Sequence, residues 1–316
     1  MRGPKIAVIG GGSGLSTLLR GLKNYTDDIS AIVCMTDNGK SSGKLRDNLK
    51  MLPPGDVRQC LAALSSQESL LLELFNFRFD KGKDLFGHSL GNLLLAGLTE
   101  MSGDFRKAVK LMSQILDIKG KVMPVTLDHV QLGAKLKNMR KVFGEKSVPL
   151  AGHKSKIKKI FLIPKTAKVN REAVIAIQDA DIIIIGPGSL YTSIIPNLLF
   201  KEISRNLVNS TALKIFICNV STERGETEKY NVEDHLKAIQ NHSSLKIIDI
   251  VLVNNKILKK SLIEGKLGEI SNITTHKNKI GNIKVRQANV IDVENPLYHD
   301  SYKLARELMK IYWDIL

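Results

Sequence analysis

Lys5-Ile6-Ala7-Val8-Ile9-Gly10-Gly11-Gly12-Ser13-Gly14 decides the fold. A short, apolar, β-branched run ends in glycines, and Leu15, Leu18, Leu19 and Leu22 follow at helical spacing, so the stretch reads strand, loop, helix. Ile29–Met35 is a second strand of the continuous apolar kind expected when both sheet faces are covered. A right-handed βαβ unit follows. Working outward, residues 56–120 turn helical, and residues 121–165 alternate in short segments punctuated by Gly and Pro, a β-rich excursion. The strand–turn–helix rhythm then resumes with strands over Ile182–Gly186, Lys214–Val220 and Ile247–Val253 and helices over Val232–Gln240 and Tyr302–Tyr312. These elements predict a single α/β domain over residues 1–316, with a Rossmann-like, doubly wound, mostly parallel sheet. The 56–120 block and the 121–165 excursion are its insertions, and its ligand belongs at the carboxyl ends of the strands.

The chain has 316 residues, 43% apolar and 25% charged, which excludes disordered and fibrous classes. Its net charge of +16 points to polyanionic partners or phosphorylated ligands. Nucleic acid is disfavoured, because one Trp, six Tyr and nine Phe are too few and not interleaved with the basic residues as a stacking platform requires. No apolar run approaches the roughly 18 residues needed to span a bilayer, and the start lacks a signal-peptide core, so a cytoplasmic protein is expected. Cys34, Cys60 and Cys218 form no CxxC pair and lie in apolar surroundings, as buried thiols rather than a disulfide or zinc framework would.

Gly10-Gly11-Gly12-Ser13-Gly14-Leu15 places free backbone N–H groups at a helix N-terminus, which suits phosphate oxygens. The dinucleotide fingerprint GxGxxG fails at Leu15 or Thr17, so NAD is not expected. Gly39-Lys40-Ser41 resembles the end of a P-loop, but Cys34 stands where that loop needs its first glycine. What remains is a polar strand end with Asp37, Lys40, Ser41 and Ser42, facing the first loop if the two strands are neighbours. Asp56 reads as an N-cap, and Arg58 in the same first turn opposes the helix dipole, so an anionic partner is expected for it. His88 and Asn92, four apart, share a helix face, with Ser89 as a cap. Gly188 and Ser189 lie in a second glycine turn, Gly186–Ser193, and Asn219, Thr222 and Glu226 follow another strand end. Four polar loops at strand ends predict one convergent pocket.

Taken in order, GGGSGLSTLLRGLK, DNGKSSGKLR, PPGDVRQCLAAL, GHSLGNLLLAGLTE, GPGSLYTSIIPNLL and CNVSTERGETEKYNVEDH resemble the YvcK family of gluconeogenesis factors, which is similar in turn to the CofD phospholactate transferases of deazaflavin coenzyme biosynthesis. The resemblance runs from Lys5 to His242. It implies a Rossmann-like core, a uridine diphosphate sugar as ligand, and a regulatory role in carbon use, envelope synthesis and cell shape. It also implies that Gly11, Gly12, Ser13 and Gly14 form the phosphate loop. Asp37, Ser41 and Ser42 then form the second strand end, with His88, Asn92, Gly188, Ser189, Asn219, Thr222 and Glu226 at the remaining motif positions. The family's Asp-Asp-Gly-Gly-Ser-Ser-Gly becomes Asp37-Asn38-Gly39-Lys40-Ser41-Ser42-Gly43 here, which removes a carboxylate and argues against a magnesium-dependent site. Tyr298 stands where many members carry arginine before His299-Asp300.

A UDP-sugar-binding regulator is therefore the leading expectation, with no resident metal and no catalytic residue assigned. A phospholactate transferase-like enzyme is the alternative, disfavoured by the few aromatics near the motifs, Tyr191 and Tyr230, that an acceptor ring would need. The sequence leaves self-association open.

Overall fold

The computed structural model describes residues 3–66, 70–257 and 270–315, without the side chains of Lys40 and Leu245. Strand β1 (Ile6–Gly10) is buried along its whole length, as a strand covered on both faces must be. It pairs in parallel with β2 (Ile29–Val33) on one side and with β7 (Ile182–Ile185) on the other. Beyond β2 lies β3 (Lys121–Pro124). Beyond β7 come β8 (Leu213–Ile217), β9 (Ile250–Asn254), β11 (Ile283–Ala288) and β10 (Lys279–Ile280). Only the β10–β11 pair is antiparallel among the described pairings of this eight-stranded sheet. The mostly parallel α/β sheet matches the sequence-based expectation.

The chain builds outward from β1 through β2 to β3, then returns to β7 on the opposite side of β1. That reversal opens a crevice at the carboxyl ends of β1 and β7, the position where doubly wound sheets take their ligands. Helix α1 (Gly12–Leu22) leaves β1 directly. Its buried leucines are Leu15, Leu18, Leu19 and Leu22, the four that the sequence spacing selects. Gly21 lets the last helix, α12 (Ser301–Trp313), lie against α1, since a Cβ there would strike the Ser301 carbonyl oxygen and lie 2.7 Å from the Ala305 Cβ.

Four features differ from the sequence reading. Residues 40–43, read as the end of a polar loop over 36–43, instead open helix α2 (Lys40–Leu49), whose polar composition hides its period. Helix α3 (Gly55–Leu64) is preceded by Pro54 as N-cap, so Asp56 sits inside the first turn instead of capping it. The first strand of the 121–165 stretch belongs to the main sheet. The separate antiparallel sheet is β4 (Gln131–Leu136) between β5 (Lys141–Phe143) and β6 (Ile157–Ile163). Strand β11 was not anticipated, because IKVRQA has only one fully buried residue and alternates weakly.

The helical block contributes α4 (Leu70–Asn76), α5 (Leu90–Ser102) and α6 (Phe105–Ile115). Helices α7 (Ser147–Lys154), α8 (Arg171–Gln178), α9 (Ile195–Leu198), α10 (Lys201–Asn209) and α11 (Val232–His242) complete the described set. Cys34, Cys60 and Cys218 are all free and buried. No helix among the described residues is long and apolar enough to cross a membrane.

Candidate functional site

The two glycine turns close on each other over the crevice. Gly12 has φ +65°, a conformation in which an L side chain is strained, and a Cβ there would meet open space. Gly14 is required for a different reason: its Cβ would lie 2.7 Å from the Pro187 carbonyl oxygen and 3.0 Å from the Gly188 Cα. At Gly11 a Cβ would lie 2.7 Å from the Asp56 Oδ2. The loop is thus packed behind and open in front, where the N-terminal N–H groups of α1 face the cleft.

Asn219 fixes the second turn from both sides, accepting from the Gly188 N–H (3.3 Å) and donating to the Gly188 carbonyl oxygen (3.0 Å) and to Glu223 Oε1 (3.0 Å). Glu226 is buried beneath it, accepting from the Tyr191 N–H (2.9 Å) and the Thr192 hydroxyl (2.8 Å). It supports the wall without lining the cleft. Burial, with Glu223 nearby, pushes its carboxyl up to about 8. Thr222 Oγ1 accepts from the Ser271 N–H (2.9 Å), and its own N–H donates to the Ser271 carbonyl, tying the 219–222 loop to residue 271.

Gly11, Gly12, Ser13, Gly14, Asp37, Gly188, Ser189, Asn219 and Thr222 converge on one cavity of about 580 Å³. Ser41, Ser42, Arg58, His88, Asn92 and Glu226 do not line it. Ser41 and Ser42 sit on α2, which carries Ser41 against the start of α5. There its hydroxyl meets His88 Nδ1 at 2.9 Å and accepts from Asn92 Nδ2 at 2.9 Å. Ser42 packs on Gly55. Arg58 turns away from the cleft and donates to Asn76 Oδ1 (2.7 Å), so its partner is an amide at the end of α4 instead of the expected anion. The Lys40 side chain lies outside the described residues. Asn38 does not face the cleft either: its Oδ1 accepts from the Lys146 N–H (3.2 Å) and so anchors the turn that carries Glu145.

Sequence reasoning missed the acids. Asp56, taken for a cap, and Glu145 and Glu223 line the cavity with Asp37. Burial, then Asp37 and Glu145, raises the Asp56 carboxyl to about 8, although it accepts the Gly12 N–H. Burial and Asp37 push Glu145 up to about 7, and burial raises Glu223 as well. Arg224 is the sole Lys or Arg among the described lining residues, so a protein of charge +16 holds an acidic cleft. Glu145 left no sequence signal because only the return of the small sheet brings it beside Asp37. His299 also lines the cavity, with a buried Nε2 that has no partner among the described residues. Burial lowers it to about 4, so it stands neutral. Among the described residues no group of three or more His, Cys, Asp or Glu side chains is placed to hold a metal ion.

Comparison with known proteins agrees with this architecture. The sequence model of the family described as 2-phospho-L-lactate transferase CofD matches residues 6–293. A gluconeogenesis factor of Bacillus subtilis is 44% identical over 312 residues, covering 98% of each chain. Another, from Halalkalibacterium halodurans, is 44% identical over 314 residues, covering 98% of this chain and 97% of that protein. A crystal structure of a UPF0052 family member from Bacillus halodurans superposes with a TM-score of 0.92 at 42% identity, covering 98% of this chain and 99% of that one.

Proposed function

The chain belongs to the CofD family, among its gluconeogenesis factors, and from that premise we propose that it is a cytoplasmic regulator that binds a nucleotide diphosphate sugar, a UDP-sugar, in the cleft between β1 and β7. The observation that carries the reading is the pair of glycine turns at the switch point, with Gly12 open to the cavity in front of α1. The diphosphate sits against the N–H groups of Ser13 and Gly14, the Gly12 N–H being held by Asp56. Asp56 and Glu145, protonated near neutral pH, donate to phosphate oxygens instead of repelling them. The neutral His299 Nε2 takes a hydroxyl of the sugar or ribose. Control of carbon use, envelope synthesis and cell shape is the role that fits such a ligand.

Calorimetric titration with UDP-N-acetylglucosamine, UDP-glucose, GDP and NAD tests the reading. A UDP-sugar should bind and NAD should not, since the dinucleotide fingerprint is broken at Leu15. NAD binding as tightly as a UDP-sugar would overturn it. The name of the family model favours a second reading, transfer of a phospholactate group from a nucleotide diphosphate donor. Turnover of such a donor with a deazaflavin acceptor would establish that instead.

A further inference from the structure

The three-stranded sheet carries a charge pattern that its own packing opposes. Its register sets Lys141 beside Lys135, and Lys135 beside Lys159. Three ammonium groups therefore stand in one cross-strand row on one face, an arrangement in which like charges destabilise a sheet. The adjacent row on that face is Phe143, Gly133 and Phe161. The two rings meet edge to face at 6.2 Å across the glycine, where a Cβ would lie 2.6 Å from the Phe161 ring carbon Cζ. On the other face Leu132, Ala134, Leu136, Ile160 and Leu162 are buried in the core.

Beside this face runs a groove of about 750 Å³, floored by Pro164, Val169, Leu199 and Phe200. Lys165, Lys168 and Lys201 join the three ladder lysines on its walls, against a single acid, Glu202. None of these six lysines is in an ion pair among the described residues. The groove shares no lining residue with the glycine-turn cleft.

We infer that this lysine-walled groove docks an acidic segment of a partner protein, one that carries apolar side chains between its carboxylates. The lysine row needs anions to offset its self-repulsion, and the apolar floor needs an occupant that sheds water. A nucleic acid meets the first condition less well, because no arginine among the lining residues offers a fork to phosphates. The two phenyl rings also face each other instead of presenting stacking faces to bases.

The test is fluorescence anisotropy on the full chain with a labelled peptide of about twelve alternating Glu and Leu residues, with a Gly-Ser peptide and an oligouridylate of similar charge as comparisons. The Glu-Leu peptide should bind, and its affinity should fall steeply with added salt. Lys135→Glu with Lys159→Glu should weaken it about tenfold or more, while UDP-sugar binding stays unchanged. The milder pair Lys135→Gln and Lys159→Gln, which relieves the ladder, should also weaken the peptide and should melt no lower than the parent. Absence of peptide binding, binding that survives both variants, or tighter capture of oligouridylate through the same lysines would each overturn the proposal. Failure of the UDP-sugar titration would leave this result unaffected, since the two sites share no residue.

Discussion

Two positions carry opposite lessons about single residues. Gly12 needs its glycine for φ alone, because the space above it is open. Gly12→Asp should therefore keep the fold at a cost of about 1 kcal/mol. It should also weaken diphosphate binding by about 2 kcal/mol or more, since the new carboxylate faces the phosphates in a partly desolvated cleft. Circular dichroism and the titration together check it, and normal binding would make the loop structural only. Asp56 teaches through its proton. An ordinary aspartate ionises near 3.8, whereas the folded protein holds this carboxyl protonated to about 8. Between those values the native state binds more protons than the unfolded chain, so stability falls as pH rises through the window. Asp56→Asn removes this contribution, and its melting temperature should decline less than the parent's between about pH 5 and 9. A parallel decline would mean that Asp56 is ionised throughout. An Asp after Pro-Pro-Gly is in sequence equally the mark of a cap, and only the approach of Gly11, Asp37 and Glu145 gives Asp56 another role.

At the scale of elements, parallel strands and apolar helices were legible because burial on both faces writes itself as unbroken Ile and Val. Helix α2 was not, since its mostly polar residues carry little hydrophobic period even where they are buried, and with it went the placing of Ser41 and Ser42. His88 and Asn92 both reach the Ser41 hydroxyl, but not from one helix face as their spacing predicts: α5 begins at Leu90, so His88 lies in the turn before its cap, Ser89, and neither residue lines the cavity. Packing also reverses a propensity rule. Ala is better than Gly inside a helix by about 1 kcal/mol. At Gly21, however, the added methyl would collide with the backbone of α12, and overpacking costs about 1 to 3 kcal/mol. Gly21→Ala should therefore lower the melting temperature by a few degrees, and calorimetry showing a rise would mean that α12 yields freely.

Across the whole molecule the charge is divided: a basic exterior surrounds an acidic cleft. For the proposed diphosphate ligand, long-range attraction would bring the anion in, where it would meet carboxyl groups that accept it only while protonated. Diphosphate affinity should thus tighten as pH falls from about 8.5 to 6.5, through the values to which Asp56 and Glu145 are raised, and depend little on magnesium at the lower pH. An absolute magnesium requirement at pH 6.5 would reverse this account. The three buried cysteines have a consequence of another kind. Cys34 lies just after β2 with its thiol 3.1 Å from the Thr36 hydroxyl, Cys60 within α3, and Cys218 just after β8. Burial raises all three thiols, Cys34 to about 12, so none offers a thiolate while closed. Each is then a clock built into a different element: a thiol reagent reacts only as often as that element breathes, and a ligand that seals the crevice should slow the Cys34 clock while leaving the one at Cys60 running at its own pace.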